Sequence, residues 1–233
     1  MAEGMIHNKT DFLATISTKL GREQSKQVTR PDWKHRPQLE ILKKTSSEEL
    51  AAVFTKNSIE KTTNVIQTDS AQLGEVLLET FRKYEGGRIV ATKDGRFSDY
   101  GLDVVLADSG AHVWNSELGE ENIEIAKQAA IGVFFSDVSL AESGTVVQFN
   151  DKDIARSVSL LPLAYVAIVP KSTIVPRMTQ VSQTIHKSIS EGKELSTCIN
   201  FISGPSNSAD IEMNIVIGVH GPIEAVHIVV ADR

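Results

Sequence analysis

The segments Thr63-Asn-Val-Ile-Gln-Thr68 and Gly87-Arg-Ile-Val-Ala-Thr92 are short and rich in the β-branched residues typical of strands. Between them, apolar residues recur at the spacing of one helix face: Leu73, Val76, Leu77 and Phe81. A strand, a helix over 69–84 and a second strand form a βαβ unit, in which the two strands lie parallel. This stretch therefore predicts an α/β fold with a mainly parallel sheet flanked by helices.

The same alternation continues as far as residue 129 and then changes. The pattern predicts a helical stretch at 97–107, a strand at 112–115 and a helix at 119–129. From residue 130, apolar segments follow one another at 131–135, 138–141 and 144–149. The link Glu142-Ser-Gly-Thr145 is short enough for a hairpin, so an antiparallel element is expected here. The pattern also predicts a segment that returns to the core at 160–169, a helix at 174–190, a strand that ends at Phe201 and a final strand at 226–230.

The first sixty residues differ from this pattern. Residues 8–20 have helical spacing, residues 22–38 are polar and contain two prolines, and Ser46-Ser-Glu-Glu is a helix start with acidic residues in its first turn. We therefore expect an N-terminal helix and extended arm at 1–60 and an α/β domain at 61–233.

Composition limits the classes of function. The chain has 233 residues, 41% hydrophobic and 23% charged, which is typical of a globular protein, and its net charge of −6 argues against nucleic acid as the main partner. No apolar run reaches the length of a membrane span and no signal-peptide core is present, so we expect a cytoplasmic protein without a membrane span. The single cysteine, Cys198, cannot by itself hold a cluster or a structural zinc.

A Gly-Pro turn follows the strand that is expected to end at Phe201. Turns of this kind, at the ends of strands, are where open α/β sheets usually hold ligands. The candidate ligand-binding residues are Gly204, Ser206, Asn207, Ser208, Asp210 and Glu212. One interpretation is a helical turn over Asp210 and Glu212 that offers backbone N–H groups to an anion, although two carboxylates better suit a cation, a sugar-like hydroxyl or a structural contact. The alternative is an ordinary helix N-cap.

The link at 142–145 is a second candidate site. A carboxylate on a tight glycine turn can act as a nucleophile or a general acid/base, which makes Glu142 a catalytic candidate with Ser143, Gly144 and Thr145 as ligand contacts. The alternative is a hairpin turn with a solvated carboxylate. His220 is the other catalytic candidate because of its accessible pKa range. The sequence has no metal-ligand spacing, and no metal site is predicted.

The two candidate segments carry a family resemblance. Gly204-Pro-Ser-Asn-Ser-Ala-Asp-Ile-Glu212, followed by Gly218-Val-His-Gly-Pro222, resembles the C-terminal signature of the LUD-domain family. Ala141-Glu-Ser-Gly-Thr145 is similar to its second signature, and Arg30-Pro-Asp-Trp-Lys-His35 to an arm found in the same family. The family often has Arg-Thr where this chain has Asn207-Ser208, so a cationic anion clamp is missing here.

The resemblance implies both a fold and a role. The fold is related to the group of ribose-5-phosphate isomerase, glucosamine-6-phosphate deaminase and CoA-transferase. The role is that of one of three cytoplasmic proteins that together oxidise L-lactate to pyruvate. The other two are similar to iron–sulfur oxidoreductase subunits, so the resemblance places the clusters in those partners and no cofactor in this chain.

Two alternative functions stay open. The first is an independent CoA-transferase-like or isomerase-like enzyme that acts on a small carboxylate or sugar phosphate, with Glu142 forming an acyl intermediate. The second is a domain that senses a small carboxylate ligand without turnover.

Overall fold

The computed structural model describes residues 6–24, 29, 31–84, 86–211 and 213–232. The chain divides into two compact units, Met1–Arg36 and Pro37–Arg233. The first unit contains helix α1 (Lys9–Lys19), which has no buried residue and confirms the helix predicted at 8–20. Of the predicted arm at 22–38, residues 25–28 and 30 lie outside the described residues. The second unit includes the helix that follows Ser46.

In the described part of the second unit, helices alternate with single strands as far as residue 135, and runs of consecutive strands follow. Its strands are β1 (Asn64–Asp69), β2 (Arg88–Ala91), β3 (His112–Val113), β4 (Ala129–Phe135), β5 (Val138–Leu140), β6 (Thr145–Asn150), β7 (Ala164–Pro170), β8 (Ile174–Val175), β9 (Cys198–Ile202), β10 (Asn207–Ile211), β11 (Asn214–Ile217) and β12 (Glu224–Ala231). Its helices are α2 (Ser47–Glu60), α3 (Leu73–Arg82), α4 (Arg96–Asp99), α5 (Asp103–Asp108), α6 (Glu120–Lys127), α7 (Ser157–Leu160) and α8 (Met178–Ser190).

The main sheet has six strands in the order β1-β12-β7-β4-β2-β3, and every neighbouring pair is parallel. Apolar residues of α3, α4 and α5 cover one face of this sheet, and those of α2 pack on the other. The predicted α/β fold with a mainly parallel sheet is therefore confirmed. α3 presents one apolar stripe, Leu73, Leu77 and Phe81, to the sheet. The central strands β7 and β12 are buried on both faces, as parallel sheets require.

A second, four-stranded sheet has the order β8-β5-β6-β9. β5 and β6 are antiparallel and joined through residues 141–144, which confirms the predicted hairpin. The helix predicted at 174–190 begins only at Met178, because Ile174 and Val175 pair with β5 as a short strand. Pro176 then separates this strand from the helix, since proline cannot donate a backbone hydrogen bond.

The third sheet is the isolated hairpin of β10 and β11. It corrects two expectations. The helical turn predicted over Asp210 and Glu212 is wrong, because Asn207–Ile211 is a strand that pairs with Asn214–Ile217; Glu212 itself lies outside the described residues. The strand that ends before Gly204 is β9, which belongs to the second sheet and pairs antiparallel with β6, so the turn does not extend a strand of the parallel sheet.

No helix among the described residues is long and apolar enough to cross a membrane.

Gly132 sets the distance between the main sheet and α7. A Cβ atom at this position on β4 would lie 1.7 Å from the carbonyl oxygen of Val158 in α7. Real Cβ atoms do not approach backbone oxygens this closely, so a side chain would force the helix away from the sheet.

We predict that Gly132→Ala lowers the free energy of unfolding by about 3 kcal/mol, the upper end of what overpacking a core normally costs. Urea denaturation followed by circular dichroism measures this loss. Gly95→Ala is the matched control, because no heavy atom lies within 4 Å of a Cβ at that position. Equal stability of the two variants would contradict the proposed close packing.

Candidate functional site

A buried polar network lies between α2 and the main sheet. The ring of His227 on β12 is fully buried, with Nε2 3.1 Å from Tyr165 Oη on β7 and Nδ1 3.2 Å from Ser58 Oγ on α2. Phe54 stacks on the imidazole with ring centroids 5.4 Å apart. A neutral imidazole offers one donor and one acceptor, which matches its two hydroxyl neighbours. Burial lowers the pKa of His227 to about 3, so this histidine is neutral at physiological pH.

The network reaches both predicted segments through backbone oxygens. Ser58 Oγ lies 3.4 Å from the carbonyl oxygen of Gly144, and Tyr165 Oη lies 3.4 Å from that of Gly204. Because the neutral ring accepts a hydrogen bond from one of these two hydroxyls, only the other hydroxyl has its proton available for a carbonyl oxygen. Both glycines have positive φ, 59° and 73°. A Cβ on Gly144 would lie 2.5 Å from Ser58 N, and one on Gly204 would lie 2.5 Å from Lys61 O. These two motif glycines therefore allow both turns to approach the C-terminal end of α2.

The structure brings the two predicted segments together. Ser143 Oγ and Thr145 Oγ1 are 2.7 Å apart, Thr145 Oγ1 donates to Ser203 Oγ at 3.2 Å, and Ser203 Oγ donates to Ser143 O at 3.3 Å. Glu142 accepts a hydrogen bond from Arg177 Nε at 2.5 Å. The hydroxyl groups of the turn are thus hydrogen-bonded to one another, and the carboxylate has a cationic partner.

A cavity of about 280 Å³ adjoins the Gly-Pro turn. It is lined by Glu60, Lys61 and Thr62 at the end of α2, by Ser203, Pro205 and Asn207 of the turn, and by Ile215 and Ile217 of β11. The side chain of Asn207 donates to Pro205 O at 3.1 Å and is exposed. Of the predicted ligand residues that the structure describes, Asn207 is the one that lines this cavity.

The remaining predicted residues lie around the base of the hairpin. Ser206 Oγ accepts from the backbone N–H of His220 at 3.3 Å, and the His220 residue is exposed. Ser208 and Asp210 lie in β10, and Glu212 lies outside the described residues. Catalytic roles for Glu142 and His220, and ligand binding by the turn residues, stay predictions.

A charged group that the sequence did not predict lies at the carboxyl edge of the main sheet. The connection after β2 leads outward to β3 and the connection after β4 leads the other way to β7, so the two strands flank a topological switch point. Arg96 lies across this point: its Nη2 is 2.6 Å from Asp94 Oδ2 and 2.8 Å from Asp137 Oδ1. Burial raises the pKa of Asp137, although the guanidinium of Arg96 acts in the opposite direction.

A signal for this group was present in the sequence. Lys93-Asp-Gly-Arg96 follows directly after the predicted strand 87–92, where polar residues and a glycine mark the carboxyl end of a strand. What the sequence does not reveal is that β4 lies beside β2, which brings Asp137 to Arg96 across 41 positions.

No group of three or more His, Cys, Asp or Glu side chains in the described ranges could hold a metal ion.

A model of the LUD domain matches residues 39–230. The chain belongs to the LUD-domain family. Its LUD-domain relatives include "Lactate utilization protein C" of Bacillus subtilis (strain 168), 48% identical, and the protein of the same name from Macrococcus caseolyticus (strain JCSC5402), 47% identical, each match covering 100% of both chains. A solved structure of a DUF162 family protein from Deinococcus radiodurans is 20% identical with a TM-score of 0.57, and the match covers 79% of this chain and 98% of that one. It supports the assignment of the fold.

We predict that the buried His227 makes the protein less stable in mild acid. An unfolded chain binds a proton at its ordinary pKa of 6.5, whereas the native ring does so only near 3, so stability is lost as the pH falls from 6.5 towards 3. Between pH 7 and pH 5 this histidine alone should reduce the free energy of unfolding by about 2 kcal/mol.

Urea denaturation at both pH values tests this. His227→Gln should lose that part of the pH dependence, whereas His220→Gln, which changes an exposed ring, should retain it. In the wild-type protein the NMR signals of the His227 ring should not titrate between pH 7 and pH 5. A His227 ring that does titrate in this range would show that the network contains a charged imidazole.

Proposed function

We propose that this LUD-domain protein acts in lactate utilization as a cytoplasmic subunit without clusters, which binds iron–sulfur partner proteins that oxidise L-lactate to pyruvate. The family assignment and the full-length similarity to proteins named lactate utilization protein C support a role in lactate utilization. The single cysteine cannot hold an iron–sulfur cluster alone, so the proposal places the clusters in the partners.

The observation that carries the docking role is the exposed apolar surface of the β10–β11 hairpin. Met213 is 93% exposed, Ile215 75% and Ile217 48%. The hairpin pairs with no other described strand, and an isolated two-stranded hairpin is only marginally stable in water. A partner that covers these side chains would bury their apolar area and would at the same time stabilise the hairpin.

The cavity beside the hairpin extends this surface. Ile215 and Ile217 are two positions apart on β11, so their side chains point to the same face of the hairpin. Both residues line the cavity together with Pro205. An apolar anchor from a partner would therefore find a concave site rather than a flat surface, which is the usual setting of strongly contributing interface residues.

We predict that Ile215→Asp abolishes co-purification with the iron–sulfur proteins of the lactate system and prevents growth on L-lactate. A charge at the centre of an apolar interface costs several kcal/mol, on the order of a thousandfold in affinity. Co-purification from cells that express all three proteins measures the binding, and growth on L-lactate as sole carbon source measures the function.

Val104→Asp is the matched control, because Val104 is an exposed apolar residue (68%) on α5, far from the hairpin in sequence. Both variants should fold with the wild-type thermal midpoint. If Ile215→Asp co-purified with the iron–sulfur proteins as well as the wild-type protein does, the hairpin would be excluded as the docking surface. Normal growth on L-lactate after deletion of the gene would exclude the proposed role itself.

A further inference from the structure

The turn of the β10–β11 hairpin carries a methionine, Met213, whose side chain is 93% exposed, more than any other large apolar side chain among the described residues. The sequence contains four methionines. Met1 and Met5 precede the described residues, and Met178, at the start of α8, is 51% exposed. Oxidants convert the apolar thioether of methionine into a polar sulfoxide. Met213 is therefore the described methionine that is most accessible to an oxidant.

The backbone of Met213 adopts a conformation that suits another residue type. Its φ is 58°, in the left-handed region that glycine and asparagine enter most readily. The chain reverses here between Ile211 and Asn214, which pair across the hairpin. Glycine or asparagine would make this turn with less strain and without exposing an apolar side chain. The reason for a thioether at this position therefore lies outside the turn itself.

Met213 belongs to the exposed apolar surface of the hairpin, together with Ile215 and Ile217. Methionine suits such a surface, because its flexible and polarizable side chain adapts to the shape of a partner. A partner that covers the thioether gains from burying apolar area. A partner that covers a sulfoxide must instead remove water from a polar oxygen, which is costly unless a new hydrogen bond replaces it. Oxidation of Met213 and apolar docking through the hairpin therefore oppose each other.

We propose that Met213 is an oxidation site, at which a peroxide converts the thioether into a sulfoxide and thereby prevents docking on the iron–sulfur partner proteins. This inference rests on the proposed docking role of the hairpin. Because a bound partner covers the side chain, oxidation acts on the free chain. Methionine sulfoxide reductases reduce the sulfoxide again, so the modification is reversible.

The oxidation step needs only the thioether and the peroxide. The sulfur atom of Met213 attacks one oxygen of hydrogen peroxide, so that an S–O bond forms and the O–O bond breaks. The leaving hydroxide takes up the proton of the transferred oxygen and becomes water. Methionine loses two electrons and the peroxide gains two, which balances the step.

Treatment of the purified full-length chain with hydrogen peroxide tests the proposal. The peroxide is removed before untreated iron–sulfur proteins are added, so that only this chain is oxidised. Mass spectrometry of its peptides should show that Met213 is oxidised faster than Met178. The oxidised chain should bind the partners about tenfold more weakly, the effect of one buried polar group without a hydrogen bond. Treatment with methionine sulfoxide reductases should restore the binding.

Met213→Leu separates oxidation at this position from oxidation elsewhere, because leucine keeps an apolar side chain without the sulfur. This variant should bind the partners as the wild-type protein does, both before and after treatment with peroxide. Met178→Leu is the matched control, and peroxide should weaken its binding as much as that of the wild type. In the assembled complex, Met213 should be oxidised more slowly than in the free chain.

Two kinds of failure can be told apart. If the untreated chain does not bind the iron–sulfur proteins, the proposed docking fails and the oxidation site fails with it. If the untreated chain binds but oxidised wild-type protein binds equally well, the oxidation site alone is overturned. Loss of binding by peroxide-treated Met213→Leu, or oxidation of Met213 as fast in the complex as in the free chain, would overturn it as well.

Discussion

The C-terminal end of α2 packs against two glycine turns so closely that no side chain would fit between them. Gly144 lies in the turn between β5 and β6, and Gly204 lies in the turn after β9. A Cβ on Gly144 would clash with the backbone of Ser58 in α2, and one on Gly204 with the backbone of Lys61, the residue that caps the helix. Beneath this contact, His227, Tyr165 and Ser58 join the helix to two central strands of the main sheet through buried hydrogen bonds. One contact therefore fixes the helix, the parallel main sheet and the four-stranded second sheet relative to one another.

The direction of the chain after β9 follows from this contact. Gly204 turns the chain at the surface of α2, and the next strands pair only with each other among the described residues. The base of their hairpin is closed by backbone hydrogen bonds from Gly218 N–H to Ser206 O at 2.9 Å and from Ser206 N–H to Pro222 O at 2.8 Å. The apolar side chains of β11 are thus held outward beside a cavity, which is a physical basis for the proposed docking surface.

At the carboxyl edge of the main sheet, one part is filled by side chains and the neighbouring part is a cavity. Arg96 fills the gap between the ends of β2 and β4, where it pairs with two carboxylates and lies 5.1 Å from the centre of the Phe135 ring. The adjoining cavity is open and is lined by Lys93, Asp103 and Asp153 among others. In the family signature at 141–145, by contrast, Ser143 and Thr145 are hydrogen-bonded to each other and to Ser203.

The sequence by itself determined the α/β class, the parallel sheet and the β5–β6 hairpin, because these depend on local periodicity and short links that are visible in the residues at 63–149. It also identified Gly204 and Gly144, since a glycine beside turn residues marks backbone that other residues avoid. Only the tertiary structure decided what these glycines do, because their contacts with α2 join positions far apart in the chain. For the same reason, only the tertiary structure revealed the Asp94–Arg96–Asp137 group. It also showed that Asp210 lies in a strand and not in a helical turn, because this strand pairs with β11 on the other side of the hairpin.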